Sequence, residues 1–295
     1  MSDDLDFSKP AGAPKPAAPA TPAAQAPLYI PAIARAFFES AGKEESADAG
    51  TVFFAENEKA AKIFLKRDKM YFLVEGQVGL FAKGQPIGTV KAGQIFGEMA
   101  AITDSPRSAT ARAHTPCRVI SLDDKGFYAA LKSKPEFALM LLGMLIGRLR
   151  AMMTRLSGIP SAGEAKESPR VFDKTLLASM ASGLGDQAQQ RYNKGQVIMV
   201  AGQTGALMYV VLEGRVSISI RGALVQYVGP GGVFGEMAII DQSPRAANAA
   251  AETDCVLLGI SRNVFLNLIK SDPTFGASLL AAVAERVRNT AAGLN

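Results

Sequence analysis

A twelve-residue stretch occurs twice in this 295-residue chain. Residues 96–107 read FGEMAAITDSPR and residues 234–245 read FGEMAIIDQSPR, identical at nine of the twelve positions. The register is ungapped from Met70 and Met208 onward. Tyr71/Tyr209, Glu75/Glu213, Val78/Val216, Phe127/Phe265, Pro135/Pro273, Phe137/Phe275 and Arg148/Arg286 all stand 138 residues apart. The chain is therefore a tandem duplication of a unit of about 120 residues, long enough for each copy to bury its own core.

Within the first copy, short β-like runs are punctuated by glycine: GTVFFA, MYFLVEGQVGLFA, QPIGTV, SATARA and CRVISL, all between residues 50 and 122. Such strands with tight turns predict a small roll or barrel, and EGQ and KGQ read as hairpin turns. A helical pattern follows. FYAALKSKP stops at Pro135, and residues 136–156 form a longer helix, apolar nearly all round and so in need of cover on several sides. Gly143 and Gly147 share one face of it. Glycine is costly inside a helix, so the pair predicts close approach of another helix, from the domain or from a second copy in a homodimer. The second copy repeats the order, closing with SRNVFLNLIKSDP and TFGASLLAAVAERVRNT.

Composition marks the boundaries. Residues 1–27 form a Pro/Ala-rich tail that cannot bury enough apolar surface to order itself. Residues 28–157 make the first domain, opening with a helical lead-in over 28–47 in which Ile30, Ile33, Phe37 and Phe38 line one face. Residues 158–169 are a polar linker, and 170–295 make the second domain. The first copy carries seven extra residues within AENEKAAKIFLKRDK, whose charge spacing predicts a surface helix.

Several functions are excluded. Net charge is +5, with Lys and Arg dispersed, which predicts a solvated surface rather than a nucleic-acid face. The acidic N-terminus has no apolar signal segment. The most apolar run, 137–147, is too short to span a bilayer, so a cytoplasmic protein without a membrane span is expected. Cys117 and Cys255 occupy equivalent apolar runs and read as reduced core residues. His114 is alone on a polar strand and reads as a surface histidine. No CxxC or His cluster predicts a metal site, and no nucleophile–base constellation predicts an enzyme.

The repeated stretch has its own chemistry. Gly97 and Gly235 let backbone approach a ligand closely. The following turn begins a helix whose free N–H groups suit an anion. Arg107 and Arg245 offer a planar donor fork for phosphate oxygens, and Glu98 and Glu236 suit a sugar hydroxyl. Together these fit a sugar phosphate. No GxGxxG turn or P-loop is present. The alternative is that each Glu and Arg form a buried structural ion pair, which rarely stabilises by itself.

The pattern G-x-x-F-G-E-M-A…S-P-R-[SA]-A resembles the phosphate-binding cassette of cyclic nucleotide-binding domains, found in CRP/FNR-type regulators, cyclic nucleotide-gated channels and regulatory subunits of cAMP-dependent protein kinase. The resemblance covers roughly residues 50–157 and 190–292. It implies an α+β fold, with two tandem jelly-roll-like β-rolls flanked by N- and C-terminal helices. It also implies that Glu98 and Glu236 hold the ribose 2′-hydroxyl and that Arg107 and Arg245 hold the cyclic phosphate, helped by backbone at Gly97, Met99, Gly235 and Met237. In the family, alanine after the arginine accompanies cAMP and threonine accompanies cGMP. Ala246 and, on the closing helix, Thr290 imply cAMP; the alternative for Thr290 is a surface hydroxyl near the chain's end. Ser108 suits either base or the phosphate. Met152 and Met153 stand at the capping positions of the first closing helix. Some members brace the arginine with an aspartate, a place filled by Asp68 in the first copy and by Ala206 in the second. CRP-type proteins continue into a helix-turn-helix. Here Asn295 follows the closing helix, so no direct DNA binding is expected, and no Arg-Arg-x-Ser/Ala inhibitor segment occurs in the tail.

The expected protein is a non-enzymatic cyclic-nucleotide sensor, for cAMP with cGMP as the alternative. Ligand would bias a closing-helix equilibrium and signal through an unidentified protein partner. The competing expectation is a scaffold or assembly protein whose cassettes bind another ligand, such as a cyclic dinucleotide, or none.

Overall fold

The computed structural model describes residues 29–59, 68–103, 105–156 and 166–292. The Pro/Ala-rich tail, most of the seven-residue insertion and most of the linker lie outside them. In the first repeat, α1 (Pro31–Ala41) leads into β1 (Lys43–Ala47), β2 (Val52–Phe54), β3 (Lys69–Glu75), β4 (Gln77–Ala82), β5 (Gln85–Lys91) and β6 (Ile95–Phe96). The short α2 (Glu98–Thr103), β7 (Thr110–Ala113), β8 (Cys117–Asp123), α3 (Asp124–Ser133) and α4 (Glu136–Leu156) complete it. The second repeat begins with β9 (Lys166–Glu167), α5 (Lys174–Leu184), β10 (Gln189–Tyr192), β11 (Val197–Met199), β12 (Leu207–Glu213), β13 (Val216–Ile220) and β14 (Ala223–Val228). It ends with β15 (Val233–Phe234), α6 (Glu236–Asp241), β16 (Asn248–Ala251), β17 (Cys255–Ser261), α7 (Arg262–Ser271) and α8 (Pro273–Ala292).

Each repeat rolls two sheets around an apolar interior. The first has strand orders β1-β8-β3-β6 and β2-β7-β4-β5; the second has β10-β17-β12-β15 and β11-β16-β13-β14-β9. The fold is α+β, two tandem β-rolls with flanking helices. Phe54, Tyr71, Leu73, Val78, Phe96 and Val119 fill the first roll, and Tyr209, Val211, Val216, Phe234 and Leu257 fill the second. A third core joins the repeats. In it the helices of both copies pack together, from Phe37, Phe127, Phe137 and Leu145 to Phe265, Phe275, Leu279 and Val283. The aromatic cluster is itself duplicated: Phe37 stacks on Phe137 and Phe172 stacks on Phe275.

Three readings of the sequence change. The lead-in helix stops at Ala41, and Lys43–Ala47 is an edge strand paired with β8, Lys43 opposite Ser121 and Ala47 opposite Cys117. KEESA has little β propensity; a long-range ladder overrides it. EGQ is a corner between sheets, since β3 and β4 belong to different ones. Gly76 turns it at φ 94°, where a Cβ would meet Pro116 O at 2.5 Å. KGQ is a hairpin, joining the antiparallel β4 and β5 through Lys83 and Gly84 at φ 50° and 75°, as a two-residue primed turn requires. Finally, the end of the expected linker joins the second roll: β9 pairs parallel with β14, and Ser168 N donates to Tyr227 O at 2.7 Å.

The two closing helices meet each other within one chain. α4 packs on α8, with Gly276 against Ala138. As a whole helix, Glu136–Thr154 is long and apolar enough to cross a bilayer, at mean hydropathy 1.5, more than its eleven-residue apolar run suggested. Half of that span is buried inside the protein.

Candidate functional site

Both repeated stretches make the same local structure: a two-residue strand, a glycine in the left-handed region, and a six-residue helix that opens on glutamate. Gly97 and Gly235 sit at φ 75° and 76°, where a side chain is strained. A Cβ at Gly235 would also meet Arg245 Nη1 at 2.7 Å. Glycine is thus required for the turn and for the arginine lying against it.

Four charged side chains are buried here: Glu98, Arg107, Glu236 and Arg245. The glutamate and arginine of a cassette do not pair with each other. Arg107 donates to Gly97 O and Lys69 O, both at 2.8 Å, and Arg245 donates to Gly235 O at 2.8 Å and Leu207 O at 2.5 Å. Glu98 is held by Arg148 at 2.5 Å, and Glu236 by Arg286, each arginine coming from the closing helix of its own repeat. Burial pushes both cassette guanidiniums below their ordinary pKa; for Arg107 the Asp68 carboxylate opposes this. Burial also pushes the Tyr71 phenol, beneath the first cassette, up to about 12.

Asp68 lies 3.2 Å from Arg107, and the Phe54 ring lies 4.2 Å below the same guanidinium. Ser108 is exposed, and Met99 packs half-buried against the helical core. In the second repeat, Gly235, Glu236, Met237, Arg245, Ala246 and Thr290 all line one cavity of about 390 Å³. Its other charges are balanced: Glu236 by Arg286, Glu285 by Arg288 and Glu167 by Arg215. Among the described residues, Arg245 ion-pairs with no carboxylate. The cavity therefore carries one uncompensated positive charge, beside a buried carboxylate that keeps lone pairs for a hydroxyl. Among the described residues, Arg286 Nε is buried there without a hydrogen-bond partner.

The model of the cyclic nucleotide-binding domain matches the chain twice, over residues 44–134 and 189–272. The chain belongs to the cyclic nucleotide-binding domain family. It is similar to the cAMP-dependent protein kinase regulatory subunit of Eremothecium gossypii, 28% identical over 203 residues, which span 68% of this chain and 40% of that protein. The corresponding subunit of Colletotrichum orbiculare is 25% identical over 226 residues, 75% of this chain and 51% of that protein. The chain thus spans about half or less of the length of these relatives. Among solved structures, the regulatory domain of Toxoplasma gondii PKA with cAMP is similar at 22% identity, covering 89% of this chain and 95% of that one, with a TM-score of 0.30.

Two sets of cyclic nucleotide-domain residues escaped the sequence reading. Arg148 and Arg286 stood out only as matched positions, with no partner assigned. Arg150 and Arg288, also 138 apart, cross between repeats: Arg150 ion-pairs with Asp241, and Arg288 donates to Ser105 Oγ. The shared offset was the available signal. Met153, expected over its own cassette, lines the cavity of the other one.

Proposed function

We propose that the chain is a cyclic-nucleotide sensor whose second cassette binds cAMP. The observation that carries this reading is the cavity that unites Arg245, Glu236, Ala246 and Thr290 and holds one uncompensated cation. A cyclic phosphodiester carries one negative charge, matching Arg245. Two of the five guanidinium N–H donors go to backbone carbonyls, and the others remain for phosphate oxygens. Glu236 accepts the ribose hydroxyl, and Arg286 holds Glu236 in place. Thr290 supplies a hydroxyl for an adenine edge. The first cassette has the same parts, Gly97, Glu98, Met99, Arg107 and Ser108, and is a second, weaker site. Kinase regulatory subunits among the relatives support a non-enzymatic, cytoplasmic role exerted through another protein. The two domains span 28–157 and 170–295, with β9 of the linker added to the second roll.

Calorimetry with cAMP, cGMP and a cyclic dinucleotide tests this. Wild type should bind cAMP; Arg245→Ala should remove the tighter isotherm and Arg107→Ala the weaker. No binding by wild type sinks the sensor.

A further inference from the structure

The two rolls differ along one sheet edge. Among the described residues, β5 is the last strand of its sheet in the first repeat, whereas the equivalent β14 carries one strand more, β9 from the linker. Glu167 of β9 stands opposite Tyr227, and Ser168 N donates to Tyr227 O at 2.7 Å. Arg215, at the corner before β13, ion-pairs with Glu167 and lays its guanidinium over the Tyr227 ring at 3.8 Å. The first repeat has Gln77 and Thr89 at those two places, so the cation and the ring occur where the extra strand does. Glu167 and Pro169 both line the cavity of the second cassette, beside Val225 and Gln226 of β14. The hold on this strand is light. Glu167 and Pro169 are exposed, and a solvated ion pair is worth little. The chain beyond it is firmly anchored: Val171 N and Phe172 N both donate to Gly231 O, at 2.9 and 3.0 Å, and buried Phe172 stacks on Phe275. Local opening of β9 therefore costs far less than unfolding the roll.

We propose that Arg215 is a positioning residue for the second cassette: it holds the linker strand β9 against the cavity, and a cyclic nucleotide bound there holds the strand in turn. The proposal rests on the reading above, in which Arg245 and Glu236 hold phosphate and ribose. Glu167 and Pro169 belong to the cavity wall when β9 is docked on β14, so the docked and lifted strands offer a ligand different walls. A ligand that binds the docked state better shifts the strand toward it. Docking then raises the ligand's affinity by the same factor. A strand that only covered a sheet edge would have no such link to the cavity. Through β9, occupancy of the second cassette reaches the segment that joins the two repeats.

The test uses the full chain carrying Arg107→Ala, which silences the first cassette, and follows amide hydrogen exchange at Ser168. Saturating cAMP should slow that exchange about fivefold, the low end of ordinary coupling between sites. Exchange along β5, the edge without an added strand, should not change. Adding Arg215→Ala should weaken cAMP binding about fivefold in calorimetry, and Arg215→Lys, which keeps the charge, should restore it to within about twofold of the parent. The Ser168 measurement needs no strand variant, so it decides the matter even where Arg215→Ala folds poorly. Ser168 exchange unmoved by cAMP in a chain that binds it, or an Arg215→Ala affinity within about twofold of the parent, overturns the positioning role and leaves the cassette reading standing. An Arg215→Lys chain as weak as Arg215→Ala overturns the role of the charge in the same way. Failure of the Arg107→Ala chain to bind cAMP overturns both readings.

Discussion

In both cassettes the arginine is clamped by the carbonyl ten residues before it and by the carbonyl thirty-eight residues before it. Around that common clamp the surroundings differ. Arg107 has the Asp68 carboxylate at 3.2 Å and the Phe54 ring at 4.2 Å, whereas Ala206 and Met199 stand at those places in the second repeat. A Cβ on Gly205 would collide with the Arg245 guanidinium, so the second arginine lies against bare backbone. Since Arg245 keeps the clamp without an aspartate, Asp68 is not needed to orient the arginine. What Asp68 adds is charge: it compensates the cation that Arg245 leaves uncompensated. The duplication thus conserves the geometry of the site and varies its electrostatics, and a monoanion should favour the second cassette.

The largest effect that could break this comparison is loss of the arginine itself. Removing a bidentate, charge-assisted contact from a buried site costs about 3 kcal/mol, roughly a hundredfold in affinity. Arg245→Ala should therefore lower second-site affinity for cAMP by about that factor, while Arg107→Ala should change only the weaker phase of the same titration. Equal losses from the two substitutions would mean that the cassettes are electrostatically alike.

The cross-repeat contacts make a second pair of unequal twins. Across the repeats Arg150 reaches a buried carboxylate, Asp241, whereas among the described residues Arg288 at the equivalent position reaches a hydroxyl, Ser105, and pairs within its own helix with Glu285. Removing Asp241 leaves a part-buried cation without its counter-charge. Asp241→Ala should cost about 2 kcal/mol of unfolding free energy, below the fully buried range because Arg150 is partly solvated. Ser105→Ala should cost about 1 kcal/mol, the loss of one hydrogen bond from a charged donor. Urea denaturation of the two variants beside wild type measures both, and a cost for Ser105→Ala as large as that for Asp241→Ala would remove the asymmetry.

Part of this was legible in the sequence. A constant offset of 138 exposes the duplication, glycine-punctuated strands give the rolls, and FGE…SPR gives the cassettes, because each depends on local pattern. The partners of the charged groups were not legible. Glu98 and Arg107 stand nine residues apart and look like a pair, yet Glu98 goes to Arg148 fifty residues away and Arg107 to backbone carbonyls. Which helix covers which cavity depends on how α4 and α8 cross, and no periodicity encodes that. Lys43–Ala47 failed for the same reason. Its polar residues carry no strand signal, and only the distant β8 ladder makes it one.

Asp68→Asn sharpens the comparison at smaller amplitude. The substitution keeps the shape and removes the charge. With the clamp intact, the first cassette should gain affinity for cAMP by about tenfold, near 1.4 kcal/mol. Ala206→Asp should move the second cassette the opposite way. Calorimetry in the Arg245→Ala and Arg107→Ala backgrounds isolates each site. A loss of first-site affinity in Asp68→Asn would show that the aspartate acts as a brace after all.

The smallest expected effect lies beneath the cassettes, where the repeats differ at three aligned positions. In the first, Glu45 accepts from Lys69 Nζ at 2.6 Å and from Ser121 Oγ at 2.7 Å. In the second, Gln190, Leu207 and Gly259 fill those places, with no ionisable group. Burial pushes the Glu45 carboxyl up, but the hydrogen bonds from Lys69 and Ser121 outweigh it and hold the carboxyl below its ordinary value. A carboxyl with a depressed folded pKa contributes stability above its unfolded pKa, near 4.3, and loses it as pH falls through the folded value. The pair is largely solvated, which limits the contribution to about 0.5–1 kcal/mol. Amide hydrogen exchange of Lys43–Ala47 should therefore be faster in Glu45→Gln than in wild type at pH 7, with the gap closing on acidification below about pH 4. Exchange across Gln189–Tyr192 should be the same in both proteins at every pH, because no carboxylate of that strand's ladder titrates there. A gap that persists at low pH would trace the effect to packing rather than to the Glu45 charge.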